Sequence, residues 1–268
     1  MSHNVNDMSK KSGEENIKSA PRYELPTLRS NGKTGRLFLT RKNDAGEYVK
    51  EDVGEEAAVI MLKVRRIFGA FSKTEIFYTN EHNHWKDKIS LFRVDRESDK
   101  KKSQLVGSGT IDELKLRCPV LKMKQIVYCM LPQTKEVIKM EVKGKGLSNL
   151  YEYWKAFEKD EHIFQFETLV TIMPESGELG DYFAMNFTKA DQYPDMDIVS
   201  EKMDEVVERI EKIEAYYAET AKEYRNMQED APVPEPEPDG TEPAGEIKNK
   251  KSTTDGEEDE IKIEDIPF

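Results

Sequence analysis

The chain has 268 residues, of which 37% are apolar and 35% are charged, and its formal net charge is −12. This composition can build one packed domain but not a core along the whole length, so part of the chain is expected to be unfolded. The longest apolar runs, residues 57–62 and 126–131, are far shorter than the ~20 residues that cross a bilayer, and two cysteines cannot form a disulfide framework, which excludes a membrane-spanning protein and a disulfide-stapled secreted domain.

The first segment, residues 1–34, is rich in Ser, Asn, Lys and Gly and has almost no apolar periodicity. Such a composition predicts a flexible arm. The polar start is not followed by the apolar stretch of a secretion signal, and lone thiols fit a reducing compartment. We therefore expect a cytosolic protein.

A block predicted to fold follows the arm. Its first segments are rich in β-branched and aromatic residues and are separated by polar or glycine-containing breaks, which predicts strands. The predicted strands span residues 36–40, 57–70, 74–79 and 89–94. Thr110, followed by the acidic pair Asp112 and Glu113, then predicts a short capped helix that Pro119 stops.

The next two segments, residues 122–127 and 136–142, are predicted to pair as a hairpin. In the second of them Lys139, Glu141 and Lys143 alternate with apolar residues. Because successive side chains of a strand point to opposite faces, this pattern predicts a strand that is half buried.

The last part of the block begins with Ser148, which is predicted to cap an amphipathic helix. Two more strands, residues 163–172 and 182–188, are joined by a turn-rich segment that starts at Pro174. Many short strands with one helix late among them favour a mainly β fold. The order suits an OB-like barrel over residues 35–192, with the helix inserted between the third and fourth barrel strands, and a β-sandwich is the alternative.

A heptad follows the block and predicts an amphipathic helix over residues 195–228. The heptad could pair helices as a coiled coil, making a homo-oligomer through residues 196–227, or it could pack on the chain's own barrel; the pattern fits both equally. Its first apolar positions are Met196, Val199, Met203, Val206, Ile210, Ile213 and Tyr217. Pro232 ends the helix, and residues 229–268 read as a disordered acidic tail.

The charge of the chain is divided unequally. Residues 195–268 hold 24 Asp and Glu against 9 Lys and Arg, whereas residues 57–146 hold 19 basic against 10 acidic residues. A basic body joined to an acidic tail predicts a polyanion-binding surface with a separate interaction arm.

The extreme C-terminus carries the most specific motif of the chain. An acidic run ends in Asp265, Ile266, Pro267 and Phe268. This ending resembles the tip of bacterial single-stranded DNA-binding proteins, a resemblance that covers about ten residues. It implies single-stranded DNA as ligand and a docking role for the tip, whose terminal Phe and carboxylate bind replication, recombination and repair enzymes. The body is longer than the usual domain of that family, which fits a divergent version from a bacteriophage or a mobile element.

Binding of single strands requires cations for the phosphates and exposed aromatic faces for the bases. Two segments interleave these residue types, from Tyr78 to Arg96 and from Lys122 to Lys145. Trp85 has polar neighbours on both sides, so we expect it to be exposed. The candidate DNA-binding residues are Arg65, Arg66, Tyr78, Trp85, Lys86, Lys88, Arg93, Arg96, Lys122, Lys124, Lys139, Lys143 and Lys145.

Signals for chemistry are weak. The chain has no Gly-rich phosphate loop or nucleophile elbow, and His82 and His84 lack a third metal ligand nearby in sequence. We therefore expect a protein that is not an enzyme and that has neither a metal nor a cofactor. The alternatives are a recombination mediator or annealing protein, or a DNA-processing enzyme, with the same tail.

Overall fold

A computed structural model describes residues 25–43, 45–96, 103–177 and 180–229, with side chains of the last helix as far as residue 222. Within this part of the chain the strands are β1 Thr27–Asn31, β2 Arg36–Lys42, β3 Tyr48–Gly54, β4 Glu56–Phe71, β5 Glu75–Thr79, β6 Ile89–Asp95, β7 Ser103–Gly109, β8 Lys122–Met130, β9 Val137–Lys143, β10 Phe166–Gly177 and β11 Gly180–Gln192. The α-helices are α1 Ile111–Arg117, α2 Lys145–Lys155 and α3 Met196–Glu229, and a 3-10 turn covers Ile163–Gln165. The predicted mainly β fold with a long helix after it is confirmed.

The strands form one sheet in the order β3-β2-β1-β9-β8-β4-β5-β6-β7, which is open at β3 and β7. Strand β1 runs parallel to β9, and the other pairs are antiparallel. Strand β4 is long enough to pair with β10 near its start, with β8 along its middle and with β5 at its end. The β10–β11 hairpin therefore branches from β4.

Seven of the strands contribute to one apolar core. Buried residues of β4, β8, β9, β1, β2, β11 and β10 belong to a single cluster, and α2 joins it through Leu150 and Tyr153. Representative members are Val59, Val127, Met140, Leu28, Met185 and Val170. The backbone N–H of Phe183 in β11 donates a 2.9 Å hydrogen bond to the Gly32 carbonyl, in the turn between β1 and β2. This bond joins β11 to the turn that follows β1.

The same turn contains a glycine that no other residue could replace without strain. Gly35 has a φ of +65°, and a Cβ atom at this position would lie 2.9 Å from the Phe183 ring. The left-handed backbone and the close approach of the ring both require a residue without a side chain.

Helix α3 packs on the chain's own sheet. Its seam residues Val199, Val206 and Ile210 are buried against β4 and β8, where they contact a cluster that includes Tyr128. Further along, Tyr217 packs on Phe92 of β6, with ring centres 5.3 Å apart. The structure thus uses the heptad for intramolecular packing. The later heptad positions, Tyr224 and Met227, lie beyond the described side chains.

The predicted flexible arm is wrong for residues 25–34. Strand β1 lies in this range, and Leu25 and Leu28 are buried beside it. The hairpin that pairs β1 with β2 is closed by the Asn31 side chain, whose Oδ1 accepts hydrogen bonds from the backbone N–H groups of Lys33 and Thr34. Residues 1–24 lie outside the described part of the chain.

Other boundaries differ from the sequence-based ones. Ser148 does not cap α2, which begins at Lys145 with Gly144 as its N-cap. The segment after Pro174 continues as strand to Gly177 instead of turning. Strands β3 and β7 were not predicted. The Thr110 cap of α1 is confirmed, with the reciprocal hydrogen bonds of a capping box to Glu113.

None of the helices in the described ranges is both long and apolar enough to cross a membrane.

Candidate nucleic-acid interface

A row of cations crosses three neighbouring strands on one face of the sheet. It contains Arg29 of β1, Lys143 of β9, and Lys122 and Lys124 of β8, and it ends beside Phe71 of β4. Register fixes the row, because Lys124 lies opposite Lys143 and Lys122 lies opposite Gly69, two residues before Phe71. Residues directly opposite in an antiparallel pair point to the same face. We call these five residues, Arg29, Phe71, Lys122, Lys124 and Lys143, the basic strip.

The aromatic end of the basic strip is open to solvent. The Phe71 side chain is 45% exposed although it is large and apolar. The Lys124 ammonium lies 4.5 Å from the centre of its ring, within the range of a cation–π contact. The strip therefore offers an aromatic face and a cation side by side, the pair of groups that a nucleotide requires.

One carboxylate, Glu141, contacts two of the four cations of the strip. Glu141 accepts a 2.9 Å hydrogen bond from Lys124 and lies 3.3 Å from the Nε of Arg29. Burial alone would raise the pKa of Glu141, but the charges of Lys124 and Arg29 and the Lys124 hydrogen bond outweigh it and lower that pKa to about 2. Glu141 is therefore ionised at neutral pH and offsets one of the strip's four positive charges.

A second exposed aromatic group lies on the segment between β5 and β6. The Trp85 side chain is 48% exposed, as the sequence led us to expect. The Arg66 guanidinium lies 5.7 Å from the centre of the Trp85 ring, and Phe68 supports the ring at the same distance. Phe68 also stacks on His82, with ring centres 5.6 Å apart. We call Arg66, Phe68, His82 and Trp85 the Trp85 cluster.

The backbone around Trp85 is fixed by local hydrogen bonds. The Asp87 carboxylate accepts hydrogen bonds from the backbone N–H groups of His84, at 2.8 Å, and Asn83, at 3.0 Å. These bonds, the one from His84 first, lower the pKa of Asp87. The Arg66 guanidinium also donates to the Asn83 carbonyl. Trp85 is thus presented by an ordered turn. Lys86 and Lys88 of the same turn are exposed.

Two predicted DNA-binding residues are buried. Arg65 is 3% exposed; it donates a 3.0 Å hydrogen bond to the Glu81 carbonyl and forms an ion pair with Glu214 of α3. Lys139 is 6% exposed. Helix α3 covers the sheet around Tyr128, next to both positions. We leave Arg65 and Lys139 out of the proposed phosphate-binding surface.

The remaining predicted residues lie apart from the strip. Tyr78 is half buried and stacks on Phe92, with ring centres 5.5 Å apart. Arg93 donates to Glu75 at 3.1 Å, and Arg96 donates to the Ser72 carbonyl at 3.1 Å. Both arginines are engaged at the β5–β6 end of the sheet. Lys145 is exposed at the start of α2.

The sequence did not single out two members of the strip. Arg29 lies in the segment interpreted as an arm, and the Asn31-Gly32 turn signal after it was the clue to its strand. Phe71 ends an apolar run and carries no separate signal of exposure.

The docking tip, Asp265, Ile266, Pro267 and Phe268, lies outside the described residues, as does the rest of the predicted tail after Glu229. Within the described ranges no group of three or more His, Cys, Asp or Glu side chains is arranged to hold a metal ion.

Comparisons with protein-family models, curated proteins and solved structures give no match to this chain.

Proposed function

We propose that this protein binds single-stranded DNA without recognising its overall base sequence and uses its C-terminal tip to recruit replication, recombination and repair proteins. The observation that carries the proposal is the basic strip, in which four cations share one face of the sheet and one of them, Lys124, lies over the exposed ring of Phe71. Cations bind successive phosphates, and an exposed ring stacks on an unpaired base.

The arrangement of the core strands supports an OB-like body. When the segment with β5, β6, β7 and α1 is set aside, the elements from β4 onward are β4, β8, β9, α2, β10 and β11. Helix α2 then lies between the third and fourth strands, and β10 pairs with β4. An OB-fold has its helix in the same place, and oligonucleotides bind to the face of its second and third strands. The corresponding strands here are β8 and β9, which carry Lys122, Lys124 and Lys143 of the strip. Strand β1, which pairs with β9, is additional to the strands of this OB-like arrangement.

Helix α3 narrows the surface that DNA can use. It buries Tyr128 of β8 completely, and its six innermost described seam residues are each at most 6% exposed. Lifting a helix with six buried apolar residues costs on the order of 10 kcal/mol, more than a strand gains from a few stacked bases. We therefore place the DNA on exposed surfaces, the strip on one face of β4 and β8 and the Trp85 cluster on the other, and not beneath α3.

Single strands are favoured over duplex because the aromatic groups can stack only on unpaired bases. In duplex DNA the faces of the bases are occupied by their neighbours, and the strip alone would supply a nonspecific attraction to phosphate. Trp85, on its ordered turn, adds a second stacking position.

The role of the tip rests on its chemistry and on its resemblance to the family. A terminal aromatic ring provides apolar burial, Pro267 limits the entropy lost on docking, and the carboxylate fits a basic partner site. The acidic residues before it repel phosphate, so the tail is suited to protein partners. We place this function in the cytoplasm of a bacterial host cell, where a bacteriophage-encoded version would act.

The DNA part of the proposal is tested by titrating the full chain with labelled single-stranded and duplex oligonucleotides of equal length. We expect tighter single-strand binding that weakens steeply with salt. The double variant Lys122→Glu/Lys143→Glu should lose this binding, whereas Lys159→Glu, an exposed lysine outside the strip, should retain it. Equal affinity for both DNA forms, or equal loss in both variants, would contradict the proposal.

The tip part is tested separately by deleting residues 266–268. Host DNA enzymes should no longer be retained by the shortened chain, because anchors of this kind cost about 2 kcal/mol or more when truncated, roughly a thirtyfold loss of affinity. Binding of single-stranded DNA should be unchanged or slightly tighter. Retention of the same enzymes by the shortened chain would reject the docking role.

A further inference from the structure

A polar cavity of about 450 Å³ lies between α3 and the segment that joins β5 to β6. Its size is in the range of sites that hold small organic molecules. The charged groups of its lining are two cations and three carboxylates, Arg65, Lys88, Glu81, Asp87 and Glu214. With one negative charge in excess, this lining disfavours a phosphate.

The base of the cavity combines a donor and an acceptor that are both buried. Arg65 and Glu81 are each 3% exposed. Arg65 is held by Glu214 and by the Glu81 carbonyl, yet its Nε has no hydrogen-bond partner in the described part of the chain. The Glu81 carboxylate accepts a 2.8 Å hydrogen bond from the Tyr128 hydroxyl, which fixes its position. Polar groups held this firmly can discriminate between ligands, because a ligand that fails to pair with them leaves buried charge unsatisfied.

The helix side of the cavity is lined by small residues. Ala218 and Ala221 come from α3, and a methyl side chain leaves open the space that a longer one would fill. A planar ring could lie against this wall with its edge toward Arg65 and Glu81.

The cavity adjoins the Trp85 cluster. Asn83 lines the cavity, and its carbonyl accepts a hydrogen bond from Arg66, whose guanidinium lies over the Trp85 ring. A strand that stacks on Trp85 would therefore pass close to the mouth of the cavity.

We propose that this cavity receives one unstacked base of the bound single strand, with guanine preferred. The inference rests on the proposed function and adds a base-selective subsite to it. Guanine has two neighbouring acceptors, O6 and N7, which suit arginine or lysine, and N–H groups at N1 and N2, which suit a carboxylate. Thymine has no exocyclic amino group for the carboxylates. The cavity thus has a complement for both polar edges of guanine.

The experiment uses the full chain carrying Trp154→Phe, so that Trp85 is the remaining one of the two tryptophans and reports on its own surroundings. Guanosine and thymidine are titrated against its fluorescence. We expect saturable binding of guanosine and at least about tenfold weaker binding of thymidine, the discrimination of one well-placed polar pair.

Two further variants in the same background test the location. Ala218→Leu fills the cavity and should abolish guanosine binding, whereas Ala215→Leu, one turn earlier on an exposed position outside the lining, should leave it unchanged. Both replacements are compatible with a helix. Equal binding of the two nucleosides, or guanosine binding that Ala218→Leu does not affect, would overturn the inference.

A thymidine oligonucleotide, alone and with one central guanine, separates this inference from the proposed function. If Ala218→Leu binds the thymidine oligonucleotide normally but loses the preference for the guanine-containing one, the subsite is supported. If the chain binds both oligonucleotides equally well and ignores guanosine, the subsite is rejected and single-strand binding stands. If guanosine binds in an Ala218-dependent manner and neither oligonucleotide binds, the proposed function fails and the cavity remains a nucleoside site.

Discussion

The ammonium of Lys124 donates a 2.9 Å hydrogen bond to the carboxylate of Glu141 at the centre of the basic strip. A cation meant for a phosphate is thus already paired inside the protein. Glu141 also lies against Arg29, so one carboxylate restrains two of the strip's cations. Removal of the Glu141 carboxylate should therefore change DNA binding more than the loss of one negative charge alone would.

The variant Glu141→Gln is expected to bind single-stranded DNA more tightly and with a steeper salt dependence. The amide keeps the shape of the side chain but frees Lys124 and Arg29 for phosphates, and each additional phosphate contact adds about 0.7 to the slope of log affinity against log salt. Oligonucleotide titrations at several salt concentrations measure this slope. An unchanged slope would show that the strip does not contact phosphate.

The stability of the fold should depend on Glu141 at acidic pH. The pKa of Glu141 in the folded protein, about 2, lies below the ordinary value of 4.5. The ionised carboxylate therefore stabilises the folded state at pH values above 4.5. This contribution, at most about 3 kcal/mol, is lost as pH falls from near 5 toward 2. Thermal unfolding across this range should show a smaller acid-induced loss for Glu141→Gln than for the parent chain. Parallel curves would contradict the assignment.

Replacement of the two exposed rings should weaken single-strand binding. Phe71→Ala and Trp85→Ala each remove one stacking position, worth about 1–3 kcal/mol per base. Duplex binding should change little. The matched control is Leu116→Ala, which truncates an 84% exposed apolar residue of α1 outside both surfaces. If the control weakens binding as much as the aromatic variants, stacking is not the cause.

Helix α3 should be required for the folded monomer. Val206→Asp places a charge at a fully buried position, and we expect a loss of 3 kcal/mol or more, about the cost of an unpaired buried charge. Val207→Asp, at the neighbouring 42% exposed position, should be tolerated. Unfolding and light scattering are measured together. A parent dimer that Val206→Asp converts to a stable folded monomer would instead support a coiled coil.

The local patterns of the sequence predicted much of the fold. Alternation identified β9 as a strand with Ile138, Met140 and Val142 on its core face. The predicted half burial of β9 is wrong, because Val137 and Lys139 on the opposite face are also buried. The heptad predicted α3, and the polar surroundings of Trp85 predicted its exposure. These properties depend on neighbours in sequence, so the sequence alone was sufficient to predict them.

The tertiary structure decided which surfaces remain available. Arg65 and Lys139 have the charge and spacing of DNA-binding residues, but α3 and the adjacent strands bury them. The heptad of α3 did not predict this burial, because an apolar seam fits a partner helix and the chain's own sheet equally well. Arg29 joins the strip only because β1 pairs with β9, more than 100 residues later in the chain. Pairings between distant segments depend on how whole elements fill one core, and no local pattern of charge or hydropathy specifies that arrangement.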